Sequence, residues 1–189
     1  MKSSDSKSTK IETNREPPLE FDSLSSDSRH QRGIAHDLCA AYNRSPGKGN
    51  LKKILSLMQA CGNGVVIERG FHCDYGKHIS LGDRVYLNIN CTLLDGGKIS
   101  IGSDCLIGPN VQILTINHPL SANDRLQKLS LAQDVSVGKN VWIGAGAIIL
   151  PGVCVGDNVV IGAGSIVTCD LESNSLYVGS PARKIRELD

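Results

Sequence analysis

Aromatic residues are scarce in this sequence of 189 residues, since Phe, Tyr and Trp together make up 4% of it and there is a single Trp. A core with so few rings must be filled by Val, Ile, Leu, Ala and Cys in many small, similar layers. The 20 glycines supply the conformational freedom that frequent turns require. The composition therefore favours a repetitive β architecture.

Strong net charge and long apolar runs are also missing. The formal net charge is +1, so no long-range field indicates a nucleic acid or an acidic membrane as a partner. No apolar run approaches the ~18 residues of a membrane span, and the N-terminus is too polar for a signal peptide. We therefore expect a cytoplasmic protein.

The cysteines form no C-x-x-C motif, and their number, seven, is odd. Most of them occupy apolar positions of the sequence pattern. This usage is typical of small buried hydrophobic residues rather than of disulfides or metal ligands. We expect no metal site.

The chain divides into four segments. Residues 1–18 are rich in Ser, Lys and Glu and are predicted to be a disordered tail. Residues 19–63 are predicted to form a small helical cap: one helix spans Arg29–Tyr42 with an apolar face at Ile34, Leu38 and Ala41, and a second ends near Gly62. Residues 64–176 follow a different pattern, and residues 177–189 form a basic tail.

A six-residue repeat runs through the third segment. An aliphatic residue, often followed by Gly, begins each repeat, and a small or β-branched residue follows four places later. Three repeats close one triangular coil, and the stacked coils bury one another's open faces. The pattern resembles the left-handed parallel β-helix, and that resemblance supplies the handedness. The twelve aliphatic residues expected to point inward are Leu81, Leu87, Leu93, Ile101, Ile107, Ile113, Val137, Ile143, Ile149, Val155, Ile161 and Val167.

A long excursion at residues 116–134 interrupts the repeat. A loop of this length in a compact repeat fold is usually functional. His118 lies at its base, where the loop leaves a rigid coil, although His118-Pro119 by itself could simply begin a turn. Asn88 and Asp95 are polar positions in otherwise apolar repeats, and they could equally be an asparagine-ladder residue and a turn former. Together the three residues form a candidate reaction site.

The stretch from Asn88 to Leu188 closely resembles the maltose and galactoside O-acetyltransferases. The resemblance depends on the N-x-N motif, the T-x-N-H-P loop, VWIGAGA, GAGSIVT and the GSPAR tail, and it extends back through CDYG into the helical cap. It covers about 170 residues, which is nearly the whole chain outside the predicted tail. The hexapeptide pattern alone is shared by many acyltransferases, but this combination of motifs is specific.

The resemblance implies a trimeric enzyme that moves an acetyl group from acetyl-CoA to a sugar hydroxyl. His118 would be the general base, because imidazole is well suited to proton transfer near neutral pH. Asn88 would stabilise the charge that develops in the transition state. Cys91 and Cys105 fall at inward repeat positions, and we therefore discount them as nucleophiles.

The acceptor sugar would be bound by Asp74, Asp95 and Tyr86, since carboxylates accept several hydrogen bonds from a polyhydroxylated ligand. Galactoside members of the family carry a second acidic residue directly after this aspartate. Here that position is Gly96, which puts the sugar preference in doubt but not the chemistry.

Two residues of the cap, Asp22 and Arg32, match family residues that reach towards the sugar. The match is looser, because the chain reads FDSLSSDSRHQR and lacks the family's usual Gly-Glu-Tyr lead-in. Whether the two side chains reach the acceptor stays open.

Acetyl-CoA would lie in a groove between neighbouring columns. Trp142, at an outward position, is either an aromatic ledge for pantetheine or a residue of the subunit contact. Ala145 and Ala163 lie between glycines and leave the backbone bare for the pantetheine arm, and Thr168 would contact the cofactor further along.

The CoA phosphates would be bound by Arg183 and Arg186, which flank Lys184 next to the last coil, because the planar guanidinium suits phosphate. A homotrimer is also favoured by the repeat itself, since outward Val, Ile and Leu would leave apolar patches exposed on a monomer.

Three other interpretations compete with this one. A trimeric β-helix carbonic anhydrase needs three histidines converging on zinc, but His30 and His36 fall in the cap and His72 and His78 in the first coils, away from His118. An acetyltransferase for another acceptor, such as an amine, an antibiotic or a nucleotide sugar, stays open. A non-catalytic scaffold or binding module is disfavoured by the histidine, the asparagine and the basic tail.

Overall fold

The computed structural model describes residues 17–189, so the predicted tail lies outside the described residues except for Pro17 and Pro18. Three parallel sheets form the faces of a left-handed β-helix of about six turns. The predicted fold class is therefore confirmed. No helix in residues 17–189 combines the length and apolar character needed to span a membrane.

Each face is built from one short strand per coil. The first face contains β2 (Ala60–Cys61), β5 (Ile79–Leu81), β8 (Ile99–Ile101), β13 (Val135–Val137) and β16 (Cys154–Val155). The second contains β3 (Val66–Ile67), β6 (Tyr86–Leu87), β9 (Leu106–Ile107), β14 (Trp142–Ile143), β17 (Val160–Ile161) and β19 (Ser175–Val178). The third contains β4 (His72–Cys73), β7 (Thr92–Leu94), β10 (Gln112–Leu114), β15 (Ile148–Ile149) and β18 (Ile166–Val167).

The aliphatic residues that begin the repeats fill the interior of the column. All twelve predicted inward positions are between 0% and 4% exposed. They stack in register from coil to coil, as in the pairs Leu87↔Ile107 and Ile143↔Ile161. Cys91 and Cys105 are also fully buried in this core.

One corner of the column, between the third and first faces, holds the extra residues of the chain. Stacked residues on the first face are 20 apart before the excursion, as in Leu81↔Ile101, and 18 apart after it, as in Val137↔Val155. Short loops at 74–78 and 95–98 occupy this corner in consecutive coils, and the excursion leaves from the same corner one coil later. The three loops therefore lie above one another.

The excursion has regular structure of its own. It contains β11 (Ile116–Asn117), a short helix α3 (Ala122–Leu126) and β12 (Ser130–Ala132), which returns antiparallel to β11. A strand at the N-terminus, β1 (Leu19–Phe21), pairs with the other edge of β12. The strand β1 was not predicted from the sequence, because its three residues are too few to show an alternating pattern.

The helical cap consists of α1 (Ser26–Arg44) and α2 (Lys48–Leu57). The predicted apolar face of the first helix was wrong: Ala35, Cys39 and Tyr42 are buried, whereas Ile34 is 44% exposed. The buried stripe lies one residue later than predicted, on the side of α1 that contacts β4 and α2.

The second helix ends at Leu57 rather than near Gly62, because Ala60 and Cys61 already pair with β5 in the first coil. The column therefore begins before residue 64. At the other end, β20 (Arg183–Glu187) pairs antiparallel with β19, so the predicted tail continues the second face as a strand.

Candidate active site

His118 follows directly after β11, at the base of the excursion. Its Nδ1 lies 3.2 Å from the carbonyl oxygen of Leu129, on the returning side of the excursion. The imidazole is exposed, as are all the residues from 121 to 128. If Nδ1 carries the proton that it shares with this carbonyl, Nε2 has a free lone pair and can accept a proton from a substrate.

A groove of about 650 Å³ runs along the second face and its corner with the third face. Its floor is the outward side of the stacked strands, where Tyr86, Leu106, Trp142, Val160 and Leu176 lie in register. Trp142 is 56% exposed. The groove is thus a long, mostly apolar surface with an indole at its centre.

Asn88 lies at one side of this groove. Its Oδ1 accepts a hydrogen bond from the N–H of Ile89 at 2.7 Å, which leaves the Nδ2 amide available as a donor. The asparagine ladder of this corner is instead formed by the next asparagine, Asn90, whose side chain donates to Asn110. Asn88 is therefore not a ladder residue.

Two bare corners form another side of the groove. Ala145 and Ala163 both line it, and within residues 17–189 neither backbone N–H has a hydrogen-bond partner. A Cβ added to Gly146 or Gly164 would meet no atom within 4 Å. An extended ligand with amide groups can therefore approach the backbone here and pair with it.

Asp95 was predicted to bind the acceptor, and the structure contradicts this. The residue is 0% exposed, and its carboxylate accepts hydrogen bonds from the backbone N–H groups of Asp74 and Tyr75, at 3.0 and 2.8 Å. Burial raises the pKa of the Asp95 carboxyl, while the backbone N–H groups of Tyr75, Gly76 and His78 act in the opposite direction. Asp95 therefore holds the loop above it in place and offers no group to a ligand.

Asp74 and Tyr86 are better placed for contact with a ligand. Asp74 lies in the loop above Asp95, with one carboxylate oxygen 3.5 Å from Nε2 of His36 on α1. Tyr86 lines the groove beside Asn88, and its hydroxyl is 3.4 Å from Glu68. The two residues are on different sides of the column, so a single chain does not bring them together.

The two cap residues make contacts within the protein. Asp22 Oδ1 accepts from the N–H of Leu24 at 2.8 Å, in the turn before α1. Arg32 Nη1 donates to the carbonyl of Ser23 and lies 3.2 Å from the Tyr75 hydroxyl. Both side chains are partly or fully exposed, so their contact with an acceptor stays a prediction.

Opposite Gly96, the space that a side chain would need is filled. A Cβ at Gly96 would lie 2.5 Å from Ile116 Cδ1 and 3.1 Å from Phe21. A carboxylate at this position, as in the galactoside members, would displace apolar side chains of β11 and β1. Glycine at position 96 therefore lets Ile116 and Phe21 pack closely against the column.

The predicted phosphate-binding residues lie on β20. Arg183 and Arg186 are exposed there, and within residues 17–189 each guanidinium donates to a nearby backbone carbonyl and forms no ion pair. Lys184 differs from its neighbours, because it pairs with Glu172 and Glu187. Thr168 is exposed but does not line the groove.

Cysteine chemistry does not fit this site. Burial raises the pKa of the Cys91 thiol to about 11 and also raises that of Cys105, so both thiols are protonated and shielded. No cluster of three His, Cys, Asp or Glu side chains suited to a metal ion occurs in the described part of the chain.

Part of the groove was not predicted from the sequence. Leu106, Val160 and Leu176 line it together with Trp142. The repeat pattern could have identified them. Each of these residues directly precedes an inward residue of the second face, so its side chain points outward, as that of Trp142 does.

Within one chain, His118 is not among the residues that line the groove. The structure brings together Tyr86, Asn88, Trp142 and the two alanines, while the imidazole lies on the excursion at a different corner. Within one chain, Asn88 and His118 therefore lie at different corners of the column.

Comparisons with known proteins agree with one another. The family model for the bacterial transferase hexapeptide (six repeats) matches residues 134–169. Nodulation protein L of Rhizobium meliloti is 50% identical over 159 residues, which cover 79% of this chain and 87% of that protein. The crystal structure of a maltose O-acetyltransferase from Clostridium difficile 630 superposes with a TM-score of 0.88 at 35% identity, covering 91% of this chain and 94% of the other. A galactoside acetyltransferase in complex with coenzyme A superposes with a TM-score of 0.86 at 33% identity, covering 91% and 88%.

Proposed function

Because this chain belongs to the maltose and galactoside O-acetyltransferase family of hexapeptide-repeat acetyltransferases, we propose that it transfers the acetyl group of acetyl-CoA to a sugar hydroxyl. The observation that carries the proposal is the groove of the second face, where Trp142 and Asn88 flank the unpaired N–H groups of Ala145 and Ala163. Coenzyme A is bound in the solved structure of a galactoside acetyltransferase with the same fold.

The groove suits the extended pantetheine arm of acetyl-CoA. The amides of pantetheine can pair with the free backbone N–H groups at Ala145 and Ala163, and its methylene groups can cover the apolar strand surface beside Trp142. Arg183 and Arg186 lie beyond the end of the groove on β20, exposed and without an ion-pair partner in the described part of the chain, which suits the CoA phosphates. Thr168 stays a predicted contact.

The hydrogen-bonding groups of His118 and Asn88 support direct transfer of the acetyl group. His118 Nε2 takes the proton from the acceptor hydroxyl as that oxygen attacks the thioester carbonyl, and the CoA thiolate then leaves. The Nδ2 amide of Asn88, freed by the bond from Ile89 N–H to Oδ1, donates to the oxyanion that forms. No acyl-enzyme is needed, because two bound substrates already meet in the correct orientation.

A homotrimer with shared active sites completes this arrangement. The second face exposes a column of apolar side chains, with Leu106 and Trp142 each more than half exposed, and such a patch favours association. Packing the face against a neighbouring column lets the excursion of one subunit carry His118 to the groove of the next. The predicted cytoplasmic location stays a prediction.

The experiment that tests the function measures the release of free CoA thiol from acetyl-CoA with a panel of acceptors: glucosides, galactosides, maltose, an aminoglycoside antibiotic, a nucleotide sugar and simple amines. A hydroxyl-bearing sugar should give the highest kcat/KM. His118→Ala should lower kcat by roughly 10²–10⁴-fold while acetyl-CoA still binds. Turnover only with amines or nucleotide sugars would assign another acceptor, and no turnover with any acceptor would indicate a binding module.

A further inference from the structure

The N-terminal strand β1 lies beside the excursion that carries His118. We propose that Ser130 and Ser23 are positioning residues that hold the imidazole of His118 in its reactive orientation, with the cap anchoring them through Arg32. The inference rests on the proposed function, in which His118 is the general base. Neither serine belongs to the groove on the second face.

The excursion depends on β1 for its shape. In the small sheet β1–β12–β11, Phe21 pairs with Ser130 and Leu19 with Ala132, while Ile116 pairs with Ala132 from the other side. The strand β12 is therefore central and β1 closes its free edge. Without β1, the excursion would be a two-stranded hairpin with a short helix, which has little stability of its own.

Ser130 is a buried polar residue at the start of the central strand β12. It is 1% exposed, and its hydroxyl lies 3.0 Å from the hydroxyl of Ser23, just after β1. A buried hydroxyl needs such a partner, because leaving it unpaired costs free energy. The Ser23–Ser130 hydrogen bond thus fixes the position of β12 relative to the N-terminal segment.

The Ser23–Ser130 hydrogen bond is connected to His118 through the peptide group that joins Leu129 to Ser130. Leu129 directly precedes Ser130, and its carbonyl oxygen is the group 3.2 Å from His118 Nδ1. This carbonyl selects the tautomer in which Nδ1 carries the proton, so that Nε2 presents its lone pair to the substrate. A shift of β12 moves the carbonyl and with it the ring.

The other end of the connection lies in the cap. Arg32 on α1 donates from Nη1 to the carbonyl of Ser23 at 3.2 Å and also lies 3.2 Å from the hydroxyl of Tyr75. Tyr75 is buried in the loop that Asp95 holds against the column. A continuous set of contacts therefore runs from the column through Tyr75, Arg32 and Ser23 to the peptide that orients the base.

The test is Ser130→Ala in the full-length protein, assayed by thiol release with acetyl-CoA varied at a saturating concentration of the acceptor. We expect kcat to fall about tenfold, because small displacements of a catalytic group are costly, while KM for acetyl-CoA changes less than twofold. Ser23→Ala should reproduce the loss, the double variant should be no worse than either single variant, and Ser130→Thr should restore most of kcat. The matched control is Ser103→Ala, which removes a serine hydroxyl that accepts from Asp83 N–H at a corner remote from the excursion.

The His118→Ala background separates positioning from general stability. If Ser130 acts through the imidazole, adding Ser130→Ala to His118→Ala leaves the residual rate unchanged. The inference is overturned if Ser130→Ala has the kcat of Ser103→Ala, or if it lowers the residual rate of His118→Ala tenfold as well. Full activity of His118→Ala would instead refute the proposed function, so the two failures are distinguishable.

Discussion

The burial of side chains has different causes in the column and in the excursion that leaves it. In the column, the position of a residue within its six-residue repeat decides its burial, and all twelve inward positions are at most 4% exposed. In the excursion, residues 121–128 are all exposed, and β12 is held between β11 and β1, a strand about 110 residues earlier in the chain. Stacking identical layers makes burial periodic, whereas a single excursion has no neighbouring copy to stack on.

The largest expected effect concerns the interior of the column. Ile149→Ala should reduce the free energy of unfolding by about 2–5 kcal/mol, because Ile149 is fully buried between coils and its truncation leaves a cavity. Denaturant unfolding monitored by circular dichroism would measure this. Ile149→Val, which removes one methylene, should cost about 0.5–1.5 kcal/mol. Equal costs for the two variants would show that the interior is not closely packed.

Asp95 tests the corner from which the excursion leaves. Asp95→Asn should cost about 1–3 kcal/mol near pH 4, since both oxygens of the Asp95 carboxyl accept backbone N–H groups, whereas an amide has one accepting oxygen and turns its NH2 towards the remaining N–H groups. Burial raises the pKa of Asp95 in the folded state, so the protonated carboxyl stabilises the folded protein. This stabilisation is fully present below the unfolded-state pKa of Asp95 and is lost as pH rises through its folded-state pKa.

The difference in unfolding free energy between wild type and Asp95→Asn should therefore shrink as pH rises from about 4. Unfolding curves of both proteins at several pH values would measure it. A difference that grows with pH would mean that the backbone N–H groups lower the pKa of Asp95 more than burial raises it.

The outward side of the column is tested by Trp142. Trp142→Ala should weaken acetyl-CoA binding about tenfold, since a large aromatic surface in the groove is lost, and calorimetric titration would measure the affinity. Trp142→Phe should retain most of it. If only the acceptor KM changed, the groove would be an acceptor site. If only the subunit association changed, Trp142 would be a contact residue between columns.

The smallest effect is expected at the tip of the excursion. Leu126 is as apolar as the inward residues but 70% exposed on α3, so Leu126→Ala should change the free energy of unfolding by at most about 0.5 kcal/mol. The same unfolding assay applies, with Ile149→Ala for comparison. A cost above 2 kcal/mol would show that Leu126 is buried against another copy of the chain in solution.

The repeat explains which predictions succeeded. The inward residues and the outward position of Trp142 follow from counting in sixes, and the structure confirms both. The prediction of the buried face of α1 was wrong by one residue. The helix contains Ile34, Ala35, Leu38 and Cys39, which form two nearly equivalent apolar stripes. Asp95 was misassigned because the sequence shows a polar residue in a bulge but does not show which way its carboxylate faces.

The sequence by itself determined the column, its interior and the level at which the excursion leaves, because a period of six is imposed by local backbone geometry and repeats in every coil. Only the tertiary structure decided which distant segments meet around His118. The contact of β1 with β12, the burial of Ser130 and the fit of Phe21 against Gly96 each join residues with no common period. Such contacts depend on how the chain closes in three dimensions, and no local pattern records them.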